Sequence, residues 1–481
     1  MPDFSSYQPP GVYIEEEVAP AVTAVGIQPS VVALVGPSIG YRTYSEAVVL
    51  SGTDTTLLAQ LGIESTSVVV SAADGTPYDT NDFELVVDGG ADANLATTTD
   101  NTVTLARTDD STIPDDGTPV YVSYRYTDET YYAPLRARSF EDVIDAFGAP
   151  IDTATGAITS PLSFAAKLAF DNQASEVILV TTAGSATSTT RSQLQAGIAK
   201  LETMFDVNIV VPLPVGIIGS TGTPGDTTNI PSDLKSHCDE MSDLGLFRIG
   251  IIGYGSGVTR SPDVIAEDIA SERVSLVWPN RVLWYNGFAS TSVEVSGVYL
   301  AAAVAGRLAS IPVHYPLTRK SVRGFSGYPS SVLSTMTKAA MNTWSDSGVL
   351  VVEQDRNSGL NVRHGTTTDR SNVNTREISL VRAKDALVRL VQETTESSGI
   401  IGSPISDETN ARVKAIVMGA LETAVSSEVI VGYQDLRVRA RPSDPTVIEV
   451  RFTYRPAYPL NYVVITFAIN TSTGDITPLA A

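Results

Sequence analysis

From residue 140 to 285 the chain alternates helix-period segments with short apolar runs, and this alternation constrains the fold more than any other feature. Residues 140–147 read as a helix, with Ser139 as its N-cap and Gly148 ending it. Residues 161–172 are a second helix and 177–181 a strand. A helix over 191–205 and a strand over 208–211 follow. Residues 232–244 form a helix begun by Ser232 or Pro231, and 247–252 the next strand. Ser261-Pro262 opens a further helix with proline at its first position. Residues 274–278 and 281–285 supply more strand. Alternating helices and strands of this kind give a largely parallel sheet covered on both faces. The run Val31-Val32-Ala33-Leu34-Val35-Gly36 is apolar at every position, so it reads as a central strand buried on both sides.

The two ends of the chain pose a different problem. Pro9, Pro10, Pro20 and Pro29 exclude a long helix at the start, while Val12, Tyr13, Ile14, Val18, Val22, Val25 and Ile27 favour extended chain. An isolated strand is not stable in water, so this arm asks for a sheet edge, which a second copy of the protein can offer. At the other end, 377–394 is a helix with Leu380, Ala383, Leu387, Leu390 and Val391 on one face. Residues 405–425 form another, with Val413, Ile416, Val417, Ala420, Leu421, Ala424 and Val425 three and four apart and Asp407 and Glu408 in its first turn. Strands over 435–440, 447–454 and 462–469 follow, divided by Pro442, Pro445, Pro456 and Pro459. The last strand and the tail after it repeat the problem of the first arm.

Between residues 46 and 128 the chain is rich in Thr, Asp, Gly and Val, with candidate strands at 67–71, 83–87, 102–106 and 120–126. Turn signals at Asp74-Gly75, Asp88-Gly89-Gly90 and Asp116-Gly117 separate them. This is the pattern of a small β-sandwich inserted after the first core strand. Residues 45–130 carry 16 acidic and only two basic residues, so they account for −14 of the net charge of −22. Such a segment does not bind nucleic acid; it reads as a solvated outer surface.

A chain of 481 residues exceeds one compact core, so several domains are expected. Asp3 and the early prolines do not fit a signal peptide, and the apolar runs at 209–219 and 300–313 are too short to span a bilayer. The single cysteine, Cys238, cannot form an intramolecular disulfide. No cofactor is expected. Glycines 250, 253, 255 and 257 follow a strand, but their spacing is not that of a dinucleotide loop, and a tight strand-to-helix turn explains them. His237, His314 and His364 are far apart, and His237 and Cys238 on one helix do not face one metal site. No nucleophile-elbow motif occurs. Neither catalytic nor metal residues are assigned, and the chain does not read as an enzyme.

The segment PGVYIEEEV (Pro10 onward), then VVALVGPS from Val31, resembles the start of contractile tail sheath proteins. AGRLASIPVHYPLTRKSVRGFSG, ending at Gly327, and the run from Met341-Asn342 through Gly348-Val349 to Arg363 resemble the family's middle. RVRARP and EVRFTYRPAYPLNYVVITFAIN resemble its C-terminal domain. The resemblance implies an α+β multidomain fold. Its parts would be an N-terminal arm (1–30), a core strand (31–45), the inserted acidic β-sandwich (46–134), a subtilisin-like α/β middle domain without catalytic machinery (135–365), a C-terminal sheath domain (366–470) and a C-terminal arm (471–481). It also implies a structural subunit of a virion tail, assembled in the host cytoplasm. Hexameric rings would stack helically around a tail tube and contract from a metastable state. Partners would be neighbouring sheath subunits, the tube protein, and baseplate and terminator proteins, with no direct nucleic-acid contact and no membrane insertion. Inter-subunit strands would involve Val12, Tyr13, Ile14, Val22 and Val25, and Tyr462, Val464, Thr466 and Ala468. Arg382, Lys384, Arg389, Arg412 and Lys414 on the C-terminal helices are candidates to face the tube. The rival classes are a carbohydrate- or receptor-binding surface protein on an α/β scaffold, and a degenerate subtilisin-like enzyme.

Overall fold

The structure, a computed structural model, describes residues 30–52, 54–88, 102–127, 134–153, 155–182, 189–213, 229–258, 260–355, 359–461 and 463–465. The expected N-terminal arm and the end of the C-terminal arm lie outside these residues. The chain divides into two compact units, one holding Pro29–Val381 and the stretch from Pro459, the other Arg382–Tyr458.

The first unit begins with β1 (Val31–Pro37). Six strands follow in two small sheets: β2 (Tyr41–Val48), β3 (Thr56–Leu57), β4 (Val69–Ser71), β5 (Phe83–Asp88), β6 (Thr102–Arg107) and β7 (Val120–Thr127). Their orders are β2-β7-β4 and β3-β6-β5, and all the ladders are antiparallel. One apolar cluster, including Leu50, Ile63, Val70, Leu105, Val122 and Tyr124, lies under both. β2 begins at Tyr41, ahead of the compositional change at Glu46. Its outward residues are polar, so its place comes from backbone pairing with β7 along its whole length.

The α/β part then runs β8 (Leu135–Ala137), α1 (Phe140–Phe147), α2 (Pro161–Asp171), β9 (Val177–Thr182), α3 (Arg191–Ala199), β10 (Val207–Pro212), α4 (Ile230–Asp243), β11 (Ile249–Gly253), α5 (Pro262–Ile269) and β12 (Val274–Trp278). A hairpin of β13 (Arg281–Asn286) and β14 (Thr291–Ser296) precedes α6 (Val298–Ala309), β15 (Ser321–Val322), α7 (Ser330–Leu333), α8 (Lys338–Asp346), β16 (Val349–Asp355) and β17 (Gly359–Val362). Eight of these strands, together with β1, form one nine-stranded sheet in the order β15-β17-β16-β12-β11-β10-β1-β9-β8. The six strands from β16 to β9 are parallel, and antiparallel strands close both edges.

β1 sits inside this sheet, which explains its unbroken apolar sequence. Val32 and Leu34 enter the cluster that holds α1, α2 and α6; Ala33 and Val35 enter the cluster that holds α3, α4, α5 and α8. All four are fully buried, as a strand covered on both faces requires. α6 is apolar at every position but Arg307 because all its other residues are buried. Gly306 lets it touch α2: a Cβ there would lie 2.4 Å from the Ala169 carbonyl oxygen. Among the described residues no helix is long and apolar enough to cross a membrane.

Capping places the helix starts. Ser139 and Asp142 form a reciprocal capping box at α1, and Gly148 ends it with a φ of 72°. α4 starts earlier than expected: Asn229, not Ser232 or Pro231, is its N-cap, and its Oδ1 accepts from the Ser232 amide at 3.0 Å. Residues 200–203, expected to continue α3, tighten into a 3₁₀ turn.

The second unit contains most of α9 (Ile378–Ser397), which begins in the first, then α10 (Asp407–Ser426), β18 (Ile430–Arg441) and β19 (Asp444–Pro456). Ser406 caps α10 by accepting from the Thr409 amide at 3.1 Å. Val413, Ile416, Val417, Ala420, Leu421 and Ala424 form its buried face.

Candidate assembly surfaces

Catalytic sites in open α/β sheets form at the carboxyl ends of the parallel strands. Beyond β1, Ser38 Oγ lies 2.8 Å from Ser160 Oγ, which donates to Ser163 Oγ at 2.8 Å; Ser163 in turn donates to the Phe147 carbonyl. This hydroxyl chain caps α2 and joins it to α1, and no imidazole takes part. The glycines after β11 also have a packing role. A Cβ on Gly253 would fall 2.4 Å from Val298 Cα and 2.6 Å from the Gly297 carbonyl oxygen, so the start of α6 requires that glycine. This is close helix contact rather than the tight turn expected.

The three histidines have separate surroundings. His237 Nε2 lies 2.7 Å from a guanidinium nitrogen of fully buried Arg248. Burial, then the Arg248 charge, lowers its pKa to about 4. His364 bonds Glu377, and the His314 ring lies against Tyr315 at a tilt of 46°. No group of three or more metal-ligating side chains occurs among the described residues.

The surfaces with unused binding capacity lie elsewhere. β18 and β19 form a long antiparallel ribbon that pairs with no other strand among the described residues. Both edges therefore present backbone donors and acceptors. Its two faces differ. Val438, Ala440, Ile448, Val450 and Phe452 give a half-buried apolar face, while Arg437, Arg439, Arg441 and Arg451 are exposed on the other. On that face Glu449 accepts from Arg441 Nε at 3.0 Å and from Arg439 and Arg451 at 3.4 Å, and the Arg441 bond leads in lowering its pKa.

The third strand expected in this region, over 462–469, is not formed in the part described. Val463, Val464 and Ile465 are unpaired and 71–87% exposed, and Leu460 is 82% exposed. β-prone sequence without a partner strand gains nothing from extension. Tyr462, Thr466 and Ala468, like Val12, Tyr13, Ile14, Val22 and Val25, lie outside the described residues.

The candidate tube-facing cations are placed unequally. Arg412 and Lys414 are exposed on α10, and Lys384 and Arg389 are half-buried on α9. Arg382 does not belong with them. It is 6% exposed, close to Asp385 at 7%, in a stretch of α9 where every residue from Ile378 to Ala383 is buried. Burial lowers its pKa to about 10, against the pull of Asp385, so it is charged at neutral pH.

A second surface combines residues that sequence reasoning left unconnected. A cleft of about 890 Å³ opens in the first unit between the start of β15, α8 and the chain after β17, and Leu460 and Asn461 line it. Arg319 and Arg363 grip the two oxygens of Glu353 at 2.6 and 2.7 Å, and Arg370 reaches Asp346 at 2.9 Å. Asn461 donates to buried Glu377 at 2.7 Å. The density of arginine between residues 319 and 376 in so acidic a chain was the only sequence signal for this cleft.

No protein-family model matches the chain. Over 427 residues it is 33% identical to the tail sheath protein of Mycobacterium phage Bxz1, spanning 87% of this chain and 71% of that one. It is 26% identical over 257 residues to the tail sheath protein of Bacillus phage SP01, spanning 52% and 43%. Among solved structures, the anti-feeding prophage helical sheath in its contracted state superposes with a TM-score of 0.57 at 14% identity, covering 97% of this chain and 100% of that one. The PVC sheath complex of an extracellular contractile injection system, also contracted, gives 0.54 at 14% identity, with 97% and 99% covered. At such identities the structural likeness concerns the fold, a mixed α/β multi-sheet architecture. The identity to the Bxz1 protein, sustained across most of both chains, establishes that this chain belongs to the tail sheath protein family.

Proposed function

We propose that this chain is the polymerising subunit of a contractile sheath, stacked as hexameric rings around a tail tube in a virion tail or related injection particle. The observation that carries the proposal is the β18–β19 ribbon, which pairs with no other strand among the described residues and has a half-exposed apolar face. A lone ribbon of this kind is completed by strands from elsewhere. The N-terminal arm with Val12, Tyr13 and Ile14, and the strand-prone run beyond Asn461, are the segments of matching chemistry. Heterologous pairing that does not close generates a filament. Arms that keep their pairing while the units reorient would let rings shorten without losing subunits. On this proposal the extended sheath is held by a kinetic barrier and released at a baseplate.

The domain boundaries read from the sequence are kept here as proposals, with a subtilisin-like arrangement for the α/β part and the acidic sheets on the outer surface. Lys384, Arg389, Arg412 and Lys414 remain candidates to face the tube. Each exposed pair would contribute only about 0–1 kcal/mol, so affinity would come from repetition along the filament. The test is negative-stain microscopy of the purified chain and of a variant lacking residues 1–20. Long hollow tubes are expected from the first, and folded, dispersed subunits from the second. Discrete small particles from the full chain, or normal tubes from the truncated one, would refute the proposal.

A further inference from the structure

We propose that the arginine-lined cleft is a docking site for the carboxylates of Glu15, Glu16 and Glu17 from a second copy of the chain. This deepens the polymer reading above and rests on it. The cleft is built for an acidic segment. Arg319, Arg363, Arg370 and Arg376 line it, and Asp346, paired with Arg370, is the one carboxylate among its lining residues; Arg319 and Arg363 are held from outside the lining by Glu353. Arg376 is decisive. Its guanidinium makes no hydrogen bond or ion pair with any described residue, and its Nε is buried. A half-buried cation without a partner is a standing electrostatic cost that an incoming carboxylate relieves.

Position argues the same way. The cleft lies beyond the end of β17, which runs antiparallel to β16, so it is at the amino ends of the parallel strands. Small-molecule sites of α/β sheets form at the opposite ends. Leu460, which is exposed, and Asn461 line the cleft, and exposed Val463, Val464 and Ile465 follow them in the chain. An extended segment with apolar residues followed by carboxylates would match this surface, and Val12-Tyr13-Ile14-Glu15-Glu16-Glu17 has that order. In a chain of net charge −22, a cationic cleft is also the place where a like-charged second copy can approach without repulsion.

The test uses a labelled peptide of residues 10–18 titrated against full-length subunits kept dispersed at low concentration, read by fluorescence anisotropy. Binding should weaken at least about tenfold with Arg376→Glu, with a peptide carrying Gln at positions 15–17, and on raising the salt concentration. Arg138→Glu, at the other edge of the nine-stranded sheet, should leave it unchanged. No binding, or equal binding to the Arg376→Glu subunit, overturns the proposal. A second measurement identifies the donor of the arm. Val18→Cys, next to the three carboxylates, and Thr343→Cys, on the cleft wall, are combined in one chain, whose only other thiol, Cys238, is buried. Oxidation of assembled particles should give a ladder of covalent multimers. A cross-link confined to single chains, or tubes without a cross-link, overturns the assignment while leaving the sheath reading intact.

Discussion

Arg248→Met tests how this fold holds its sheet-end turns. Arg248 is fully buried. It donates to the carbonyls of Leu201 and Met204 at 2.7 Å each and bonds His237 Nε2 at 2.7 Å, so His237 carries its proton on Nδ1. One cation therefore ties α4 to the 3₁₀ turn before β10. Methionine fills most of the volume, so the cost arises from two carbonyls and an imidazole nitrogen left without donors. At about 1–3 kcal/mol each, offset by release of a buried charge, the net loss is about 3–5 kcal/mol. The neighbouring Cys238 supplies a local assay. Its thiol is buried and its pKa is pushed up to about 12, chiefly by burial, so labelling by a pyridyl disulfide requires α4 to open. Labelling should accelerate by about two to three and a half orders of magnitude. The wild type should also lose local stability in acid. His237 titrates near 4 when folded, below its ordinary 6.5, so the open state takes up the proton first. Stability is full above pH 6.5, falls by about 1.4 kcal/mol per pH unit down to about 4, and then levels. In Arg248→Met the burial remains but the repelling charge is gone, so the sloping window should narrow. Acceleration below about tenfold, or a sloping window of unchanged width, would refute this account.

Two further predictions concern local structure. Ser139→Ala removes half of the α1 capping box and should cost about 1 kcal/mol in thermal unfolding, while Ser139→Asp should preserve stability. Gly253→Ala, whose Cβ would meet the α6 backbone, should destabilise by about 1–3 kcal/mol in urea titrations. Gly257→Ala meets nothing within 4 Å and should be silent; equal costs at the two positions would return the glycine run to the status of a conformationally required loop.

How much of the fold was legible depends on whether its cause is local. β1 was readable because burial on both faces leaves an unbroken apolar sequence, and the start of α1 because capping is a contact within four residues. β2 was not: its exposed, polar residues carry no pattern, and its pairing partner β7 lies far along the chain. Arg382 was misplaced because a positive charge on a helix ordinarily means exposure, whereas Arg382 is itself buried, 6% exposed. The cleft escaped notice because its arginines come from separate segments that meet only in the folded unit.

The unpaired run after Asn461 shows where local sequence and tertiary context part. Val463, Val464 and Ile465 have strand propensity, and the chain offers them no partner among the described residues. Three large apolar side chains left more than two-thirds exposed are unfavourable for an isolated subunit, since burying each would gain about 1.5–3 kcal/mol. The ribbon's half-exposed apolar face adds to the same deficit. A subunit that retained these features as a monomer would be prone to aggregate through them. Ordered polymerisation removes the deficit only if the incoming segment is selected for register as well as for hydrophobicity. Backbone pairing alone tolerates slippage, because a shift by two residues keeps every side chain on its face. Charged residues placed next to the apolar run would oppose such a shift, since a slipped register would carry the three carboxylates away from the arginines they would pair with.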